Sequence, residues 1–330
     1  DFTVNAMAYN AEYGLVDPYG SKNDLKDKII RCVGNPDTRF NEDALRILRA
    51  LRFASVYGFS IEENTSKSIF KNADLLKNIA TERVISEFLK LICGKDAVKI
   101  LDAYRETIAV IIPEITVMFN FNQNNIHHSY DLWQHTLTAL GTIEPNPILR
   151  MTMLLHDIGK PSVKTTDNSG QSHFQGHQLE SKKIADRILH RLRLPSDFIN
   201  KTLLLIEYHD VRFNGSKKLM KKVMNVLGTD LTKQLLEVEY ADISAQSEYQ
   251  REEKLGYLKK AKTHLNEIIK DNECFKLSQL DINGKDVLNL GVKEGRDVGN
   301  ILDYLLMLVV DANVPNKKSI LISKAKEYIY

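Results

Sequence analysis

An adjacent histidine and aspartate, His156 and Asp157, end an apolar run and are followed by a Gly-Lys-Pro break. An imidazole nitrogen and a carboxylate oxygen presented side by side at a helix end can bind the same divalent ion. Further imidazole and carboxylate side chains occur on either side of this pair: His135, His177, His209 and Asp242. This arrangement predicts a metal site, although a lone His-Asp pair also occurs by chance on protein surfaces.

The ordered set resembles the HD superfamily of metal-dependent phosphohydrolases, whose core reads H…HD…D. Four residues match that core in order: His135, His156, Asp157 and Asp242. The resemblance implies that these four bind one divalent ion, which could be Mn²⁺, Ni²⁺, Mg²⁺ or iron. It also implies a second ion at His177 and His209, as in members with extra histidines, with Asp157 as the bridge. The alternative is that the histidines are core residues bonded to carbonyl groups.

Lys160 follows the His-Asp pair by three residues and is predicted to bind a substrate phosphate. Asp157 and Lys160 are therefore the candidate catalytic residues of a phosphoester hydrolase, in which a bound metal supplies hydroxide and polarises the phosphoryl oxygen. The alternative for Lys160 is an ordinary solvated lysine at a helix end.

A second group of charged residues lies on a helix predicted for residues 41–57. Asp43 and Arg46, three residues apart, would project from one face of this helix, and Arg49 and Arg52 would continue the ridge. A carboxylate only accepts hydrogen bonds and a guanidinium only donates them, so together they fit the amine and ring acceptor of cytosine or adenine. Asp43 and Arg46 are thus predicted to select CTP and ATP, while the other arginines bind triphosphate. The alternative is a solvated face with weak surface ion pairs.

Several motifs resemble, in order, those of bacterial CCA-adding enzymes and poly(A) polymerases. Residues 1–8 resemble the end of RRDFTxNAM, and residues 17–20 are similar to DPFGG, with Ser21 in place of the second glycine. Residues 39–46 resemble RFxEDxLR, and residues 80–87 resemble the ERxxxE element. The resemblance covers nearly the whole chain.

This resemblance implies a tRNA nucleotidyltransferase that adds CCA to tRNA 3′ ends from CTP and ATP with Mg²⁺. Its partners would be tRNA, ATP and CTP, and a homodimer is left open. Two alternatives remain: a parent enzyme that adds poly(A), and an HD block that only grips tRNA as a non-catalytic scaffold. The head of this family carries a Gly-Ser turn and a DxD pair that the printed sequence lacks. We therefore expect an N-terminal portion to be missing and this chain alone not to transfer nucleotides.

Composition excludes a strongly charged binding protein. Lys and Arg number 45 against 43 Asp and Glu, a net charge of +2, so RNA contacts would depend on local patches. Cys32, Cys93 and Cys274 lie far apart, which favours a reduced, cytoplasmic setting. No apolar run approaches the ~20 residues of a membrane span, so no membrane contact is expected.

The predicted fold is mainly α, with a short β-hairpin remnant of a nucleotidyltransferase head. Four parts are predicted: a head remnant at residues 1–29, a nucleotide- and RNA-binding helical neck at 30–120, an HD phosphohydrolase bundle at 121–262 and a helical tail at 263–330. The hairpin is expected from residues 1–10 and 15–20, and a boundary loop at 119–131. Amphipathic spacing predicts helices at 24–29, 41–57, 62–76, 81–93, 96–108, 297–311 and 316–328.

Overall fold

The computed structural model describes residues 1–125, 127, 130–293 and 295–329. Over these residues the chain is mainly helical, as the sequence predicts. The helices are α1 (Ser21–Asp27), α2 (Pro36–Glu42), α3 (Leu45–Tyr57), α4 (Glu63–Asn72), α5 (Thr81–Ile92), α6 (Ala97–Ala103), α7 (Arg105–Ala109), α8 (Leu132–Thr142), α9 (Pro147–Leu155), α10 (Lys160–Val163), α11 (His177–Arg191), α12 (Ser196–Tyr208), α13 (Lys217–Ala245), α14 (Arg251–Lys270), α15 (Gly284–Leu288), α16 (Arg296–Val310) and α17 (Lys318–Ile329). The strands pair two by two: β1 (Ala8–Asn10) with β2 (Gly14–Val16), β3 (Ile29–Ile30) with β4 (Ser60–Ile61), and β5 (Thr165–Thr166) with β6 (Ser172–His173).

The chain divides into two compact units. The first contains residues 1–210 and 237–251, and the second contains residues 211–236 and 252–330. Helix α13 contributes to both units and is kinked at Gly228, whose φ of 70° and ψ of 175° are not helical. The division into head remnant, neck, HD bundle and tail stays a prediction.

The N-terminal hairpin is shorter than predicted. Strands β1 and β2 are antiparallel, with Ala8 opposite Val16, which confirms the hairpin itself. Residues 1–7 are not its continuation, since Thr3–Asn5 forms a 3₁₀ turn. The cause is Phe2, which is fully buried and lies on an isolated bridge opposite Cys32. Burial of one aromatic side chain thus outweighs the strand pattern.

The single helix predicted for residues 41–57 is wrong at its start. The chain forms two helices, α2 and α3, and Asp43 between them is extended, with φ −152° and ψ 101°. The Asp43 carboxylate accepts a hydrogen bond from the Leu45 backbone N–H at 3.1 Å. Aspartate competes in this way with helical hydrogen bonding, so it favours a helix start over a helix interior. Asp43 and Arg46 therefore do not share one helical face.

The limits of the other predicted neck helices are confirmed in one case and differ in two. The stop predicted at Gly58 is confirmed, because Gly58 adopts φ 67° and donates its N–H to the Ala54 carbonyl. The helix predicted for 96–108 is two helices, α6 and α7, separated at Tyr104. The helix predicted for 62–76 ends at Asn72 and continues as a 3₁₀ turn. Within the neck, α3 packs against α5.

The second unit has its own apolar core. Helices α15, α16 and α17 bury side chains such as Leu305, Val309 and Leu321. Glu273 and Asp311 each pair with two lysines of α13, which offsets half of the positive charge of these four lysines: Lys217 and Lys221 with Glu273, Lys218 and Lys222 with Asp311. The two helices predicted near the C-terminus are confirmed as α16 and α17. Among the described helices, none has the length and apolar character needed to cross a bilayer.

Candidate metal centre and neck arginines

Helix ends position most of the candidate ligands. His156 and Asp157 follow the last residue of α9, His177 opens α11, and His209 follows the end of α12. His135 and Asp242 lie on α8 and α13, and all six residues belong to the first unit. Because these ligands lie at or beside helix ends, their polar side chains can come together without interrupting a helix.

Gly159 allows the His-Asp turn to approach α11. A Cβ atom added at Gly159 would lie 2.5 Å from the Ser181 nitrogen and 2.8 Å from the His177 carbonyl oxygen. Both are backbone atoms that cannot move aside cheaply. The glycine N–H donates to Ser181 Oγ at 2.9 Å, which fixes this close approach. The Gly of the motif is therefore a packing requirement.

The first group of candidate ligands surrounds one carboxylate oxygen of Asp157. His135 Nε2 lies 2.9 Å from Asp242 Oδ1 and 3.4 Å from Asp157 Oδ2. His156 Nε2 lies 3.2 Å from Asp157 Oδ2 and 3.5 Å from Asp242 Oδ1. One atom of each residue lies within 4.8 Å of the others, so one ion could reach all four. The sequence predicted these four as a set, and the structure brings them together.

The second group surrounds the other oxygen of the same carboxylate. Asp157 Oδ1 lies 3.3 Å from His177 Nε2 and 3.5 Å from His209 Nε2. The two imidazole Nε2 atoms are 3.1 Å apart. Asp157 thus faces one group with each oxygen, so this carboxylate could contact an ion in either group.

Each of the four histidines makes the same kind of contact, which fixes the tautomer of its ring. Each directs Nδ1 at a backbone carbonyl oxygen, at distances from 2.6 to 3.3 Å. The pairs are His135 with Ala245, His156 with Met153, His177 with Phe174 and His209 with Ile206. A carbonyl only accepts, so Nδ1 carries the proton, and a neutral ring then presents the Nε2 lone pair inward. Metal-binding histidines are oriented by such contacts.

Burial makes this arrangement costly without a cation. His135, His156 and Asp157 are at most 1% exposed, and His156 Nε2 and Asp157 Oδ1 have no well-directed hydrogen bond among the described residues. His177 Nε2 and His209 Nε2 lie 3.1 Å apart, so one of these two nitrogens must carry a proton when no cation lies between them. A divalent ion would accept the Nε2 lone pairs in place of protons and offset the carboxylate charge, so the donor set fits a metal.

Charge coupling within the cluster is strong. Burial lowers the pKa of His156, but the neighbouring Asp157 and Asp242 outweigh it and raise this pKa to about 10. Burial raises the pKa of Asp157, yet His156 and Lys160 outweigh it and hold the pKa well below its usual value. The carboxylates therefore stay ionised and demand positive charge nearby.

Lys160 and Gln246 contact the carboxylates from outside the ligand set. Lys160 Nζ lies 2.7 Å from Asp157 Oδ2 and is 5% exposed, so it is not the solvated lysine of the alternative interpretation. Gln246 donates from Nε2 to Asp242 Oδ2 at 2.8 Å. Sequence reasoning missed Gln246, although its position four residues after Asp242 on a helical segment was a usable signal.

In the neck, Asp43 and Arg46 are bonded to other partners. Asp43 accepts from Arg83 Nη2 at 3.0 Å. Arg46 donates to Asp1 at 2.9 Å and to Glu42 at 2.7 Å. Burial raises the pKa of Asp43, but the Leu45 amide and Arg83 outweigh it and lower this pKa. The structure therefore does not pair the two residues whose joint action the sequence predicted.

Arg49 and Arg52 diverge along the same helix. Arg49 Nη2 lies 2.5 Å from the second oxygen of Asp1, beside Arg46. Arg52 lies 2.6 Å from Glu87, with its guanidinium carbon 3.9 Å from the Phe53 ring centre. Asp1, Arg46 and Arg49 thus form one cluster, whereas Arg52 joins α3 to α5. Sequence reasoning missed Asp1 and Arg83 as partners.

Comparisons with known proteins find two families whose models match parts of the chain. Residues 58–119 match a family described as the probable RNA- and SrmB-binding site of polymerase A. Residues 177–325 match a family described as tRNA nucleotidyltransferase domain 2, putative. These two matches fall in different parts of the chain and agree in the kind of protein they indicate.

Curated relatives and a solved structure agree with the family matches. A multifunctional CCA protein of Legionella pneumophila is 31% identical over 242 residues, which is 68% of this chain and 57% of that protein. A CCA-adding enzyme of Ligilactobacillus salivarius is 28% identical over all of this chain and 70% of its own length. The CCA-adding enzyme of Bacillus stearothermophilus, solved with CTP, has TM-score 0.70 and 23% identity over 100% of this chain and 73% of that one. The chain thus spans a little over half of the Legionella protein and shares the fold of the Bacillus enzyme.

Proposed function

Because the chain belongs to the bacterial CCA-adding enzyme family, as the 31% identity over 68% of the chain shows, we propose that it serves a tRNA nucleotidyltransferase that extends tRNA from CTP and ATP. We also propose that it carries a metal-dependent phosphohydrolase centre of the HD type. The first activity rests on family membership, together with the neck motifs. The second rests on the geometry of the cluster around Asp157.

One observation carries the hydrolase proposal: four inward Nε2 atoms converge on a carboxylate whose two oxygens face different groups. When bound, two ions would supply a metal-activated hydroxide and polarise a phosphoryl oxygen. His135, His156, Asp157 and Asp242 would hold one of them, and Asp157, His177 and His209 the other. Gln246 orients Asp242, and the Lys160 ammonium binds a phosphoryl oxygen of the substrate.

The test is metal analysis of the purified chain, followed by hydrolysis assays. We expect bound divalent metal and hydrolysis of bis-p-nitrophenyl phosphate or 2′,3′-cyclic AMP in the presence of Mn²⁺, Ni²⁺ or Mg²⁺. Absence of metal together with undetectable hydrolysis after each of these additions would favour the scaffold alternative, in which this block only grips tRNA.

For the neck, we propose that Asp43 and Arg46 read the base while Arg49 and its neighbours bind the triphosphate with Mg²⁺. The RFxEDxLR-like motif supports this role, as does the clustering of Arg46 and Arg49 on one carboxylate. Selection would require Asp43 to exchange Arg83 for the base amine. The proposed limits of the neck, HD bundle and tail are those predicted from the sequence. The proposed macromolecular partner is tRNA.

Asp43→Ala should relax nucleotide selection in the polymerising enzyme, in which this neck stands beside a nucleotidyltransferase head. Loss of one paired hydrogen-bond readout should cost roughly 1–3 kcal/mol of discrimination, a scale taken from base recognition in DNA. The measurement is the incorporation of each of the four nucleotides into tRNA that lacks its terminal residues. Failure to accept CTP at all would favour the poly(A) alternative.

The matched control is Asp74→Ala, which removes a neck carboxylate that is 80% exposed and pairs only at the surface with Lys77. It should leave selection unchanged. If the Asp43 variant selects among the four nucleotides as the control does, Asp43 does not read the base.

A further inference from the structure

Gln123 is a buried polar residue between two exposed asparagines. It is 1% exposed, whereas its neighbours Asn122 and Asn124 are exposed. Its carbonyl oxygen accepts from Lys160 Nζ at 3.0 Å, and its amide donates to the Tyr130 carbonyl oxygen at 3.3 Å. Both ends of this amide are therefore used, one of them by a candidate catalytic residue.

The loop is anchored so that Gln123 has a defined position. Leu132 N–H donates to the Phe121 carbonyl at 3.0 Å, which closes the base of the loop. Asn124 accepts at its backbone oxygen from Ser172 N–H at 3.0 Å, and Asn125 Nδ2 donates to the Ser172 carbonyl at 2.8 Å. These bonds join the loop to strand β6. The loop is thus anchored on both sides of Gln123, by Phe121 before it and by Asn124 and Asn125 after it.

The chemistry of the contact is that of an amide and not of a carboxylate. Asp157 Oδ2, at 2.7 Å, pulls the Lys160 ammonium towards the ligand cluster. Gln123 accepts from the same ammonium but adds no negative charge. A glutamate at this place would put a second carboxylate beside the ammonium, in addition to Asp157, and weaken its attraction for an anion. An amide orients Lys160 without adding that second negative charge.

We propose that Gln123 is a positioning residue that holds the Lys160 ammonium beside Asp157 without adding a second negative charge, so that Lys160 can bind a phosphoryl oxygen. This inference rests on the proposed hydrolase function. It adds a residue outside the predicted ligand set and assigns the boundary loop a part in phosphate binding.

The experiment is a double-mutant cycle with Gln123→Leu and Lys160→Met, measured by two readouts. The first is binding of inorganic phosphate to the Mn²⁺-loaded chain by calorimetry. Lys160→Met should weaken phosphate binding about tenfold to a hundredfold, as expected for a lost charge-assisted hydrogen bond. Gln123→Leu should weaken it about three- to tenfold. In the Lys160→Met background, Gln123→Leu should change phosphate binding no further.

The second readout is the urea midpoint of the metal-free chain, which reports the contact without requiring metal or phosphate. The shifts of the two single variants should not add in the double variant, because both break the same hydrogen bond. Additive shifts would overturn the positioning role whether or not the chain is a hydrolase. Unsubstituted chain that binds neither Mn²⁺ nor phosphate would instead overturn the hydrolase function and the phosphate-binding part of this inference.

Two further variants test whether the effect on phosphate binding comes from the uncharged amide of Gln123. One changes its charge, and the other removes a different glutamine. Gln123→Glu keeps the acceptor for Lys160 but adds charge and loses the donor to the Tyr130 carbonyl, so phosphate binding should weaken at least as much as in Gln123→Leu. Gln134→Leu makes the same substitution at a glutamine that donates to Asp102 at 2.9 Å, away from Lys160, and should leave phosphate binding unchanged. Unweakened phosphate binding in Gln123→Glu, or equal weakening in Gln134→Leu, would contradict the proposal.

Discussion

Replacing Asp157 with asparagine should remove both ions from the centre at once. The two carboxylate oxygens face different groups, with Oδ2 near His156 and Oδ1 near His177. Asparagine has the same shape, but its amide nitrogen is no ligand and its oxygen carries no full negative charge. Changes outside the ligand shell already cost 10–100-fold in metal affinity, so loss of a bridging ligand should cost at least about a hundredfold. Metal analysis and Mn²⁺ titration would measure this loss, and hydrolysis should fall to the uncatalysed level.

The matched control for this prediction is Asp167→Asn. Asp167 is also a carboxylate beside a histidine, with Oδ2 at 2.8 Å from His173 Nε2, but it is exposed on the β5–β6 hairpin. That variant should keep its full metal content and hydrolysis. Retention of either ion by the Asp157 variant at the control's affinity would rule out a bridging role for this carboxylate.

Removing one histidine of the second group should leave one ion and strongly reduce hydrolysis. His209→Ala deletes one of the ligands around Asp157 Oδ1, whereas His135, His156 and Asp242 still surround Oδ2. The remaining ion can bind but lacks its partner for phosphoester chemistry, so we expect hydrolysis to fall by at least about a hundredfold. His177→Ala should behave in the same way. Native mass spectrometry would count the ions retained by each variant.

His190→Ala provides the comparison, since His190 is an exposed histidine at the end of α11 that pairs only with Asp186. It should leave the metal count and the rate unchanged. The two-ion assignment is contradicted if His209→Ala loses all metal, or if it retains the same count and rate as the His190 variant.

Sequence alone was sufficient where a residue's chemistry or conformation is local. The candidate ligands around His156 and Asp157 were predictable as a set from their ordered resemblance to the H…HD…D core, although their role as ligands stays a prediction. Gly58 ends α3 because a left-handed residue there favours glycine in any context. The mainly helical fold follows from apolar spacing along most of the chain.

Tertiary structure alone decided which partner each polar group takes. Asp43 lies outside a helix and accepts from the Leu45 amide. Its contact with Arg83, 40 residues away in the chain, cannot be predicted from the spacing of neighbouring residues. The partition of the Asp157 oxygens between two groups depends on where the ends of α9, α11 and α12 meet α8 and α13. Gln123 looked like one more polar loop residue until the fold buried it against Lys160. The physical reason is common to all three: hydrogen-bond partners are set by through-space distance and burial, whereas sequence patterns report only the nearest turn or strand.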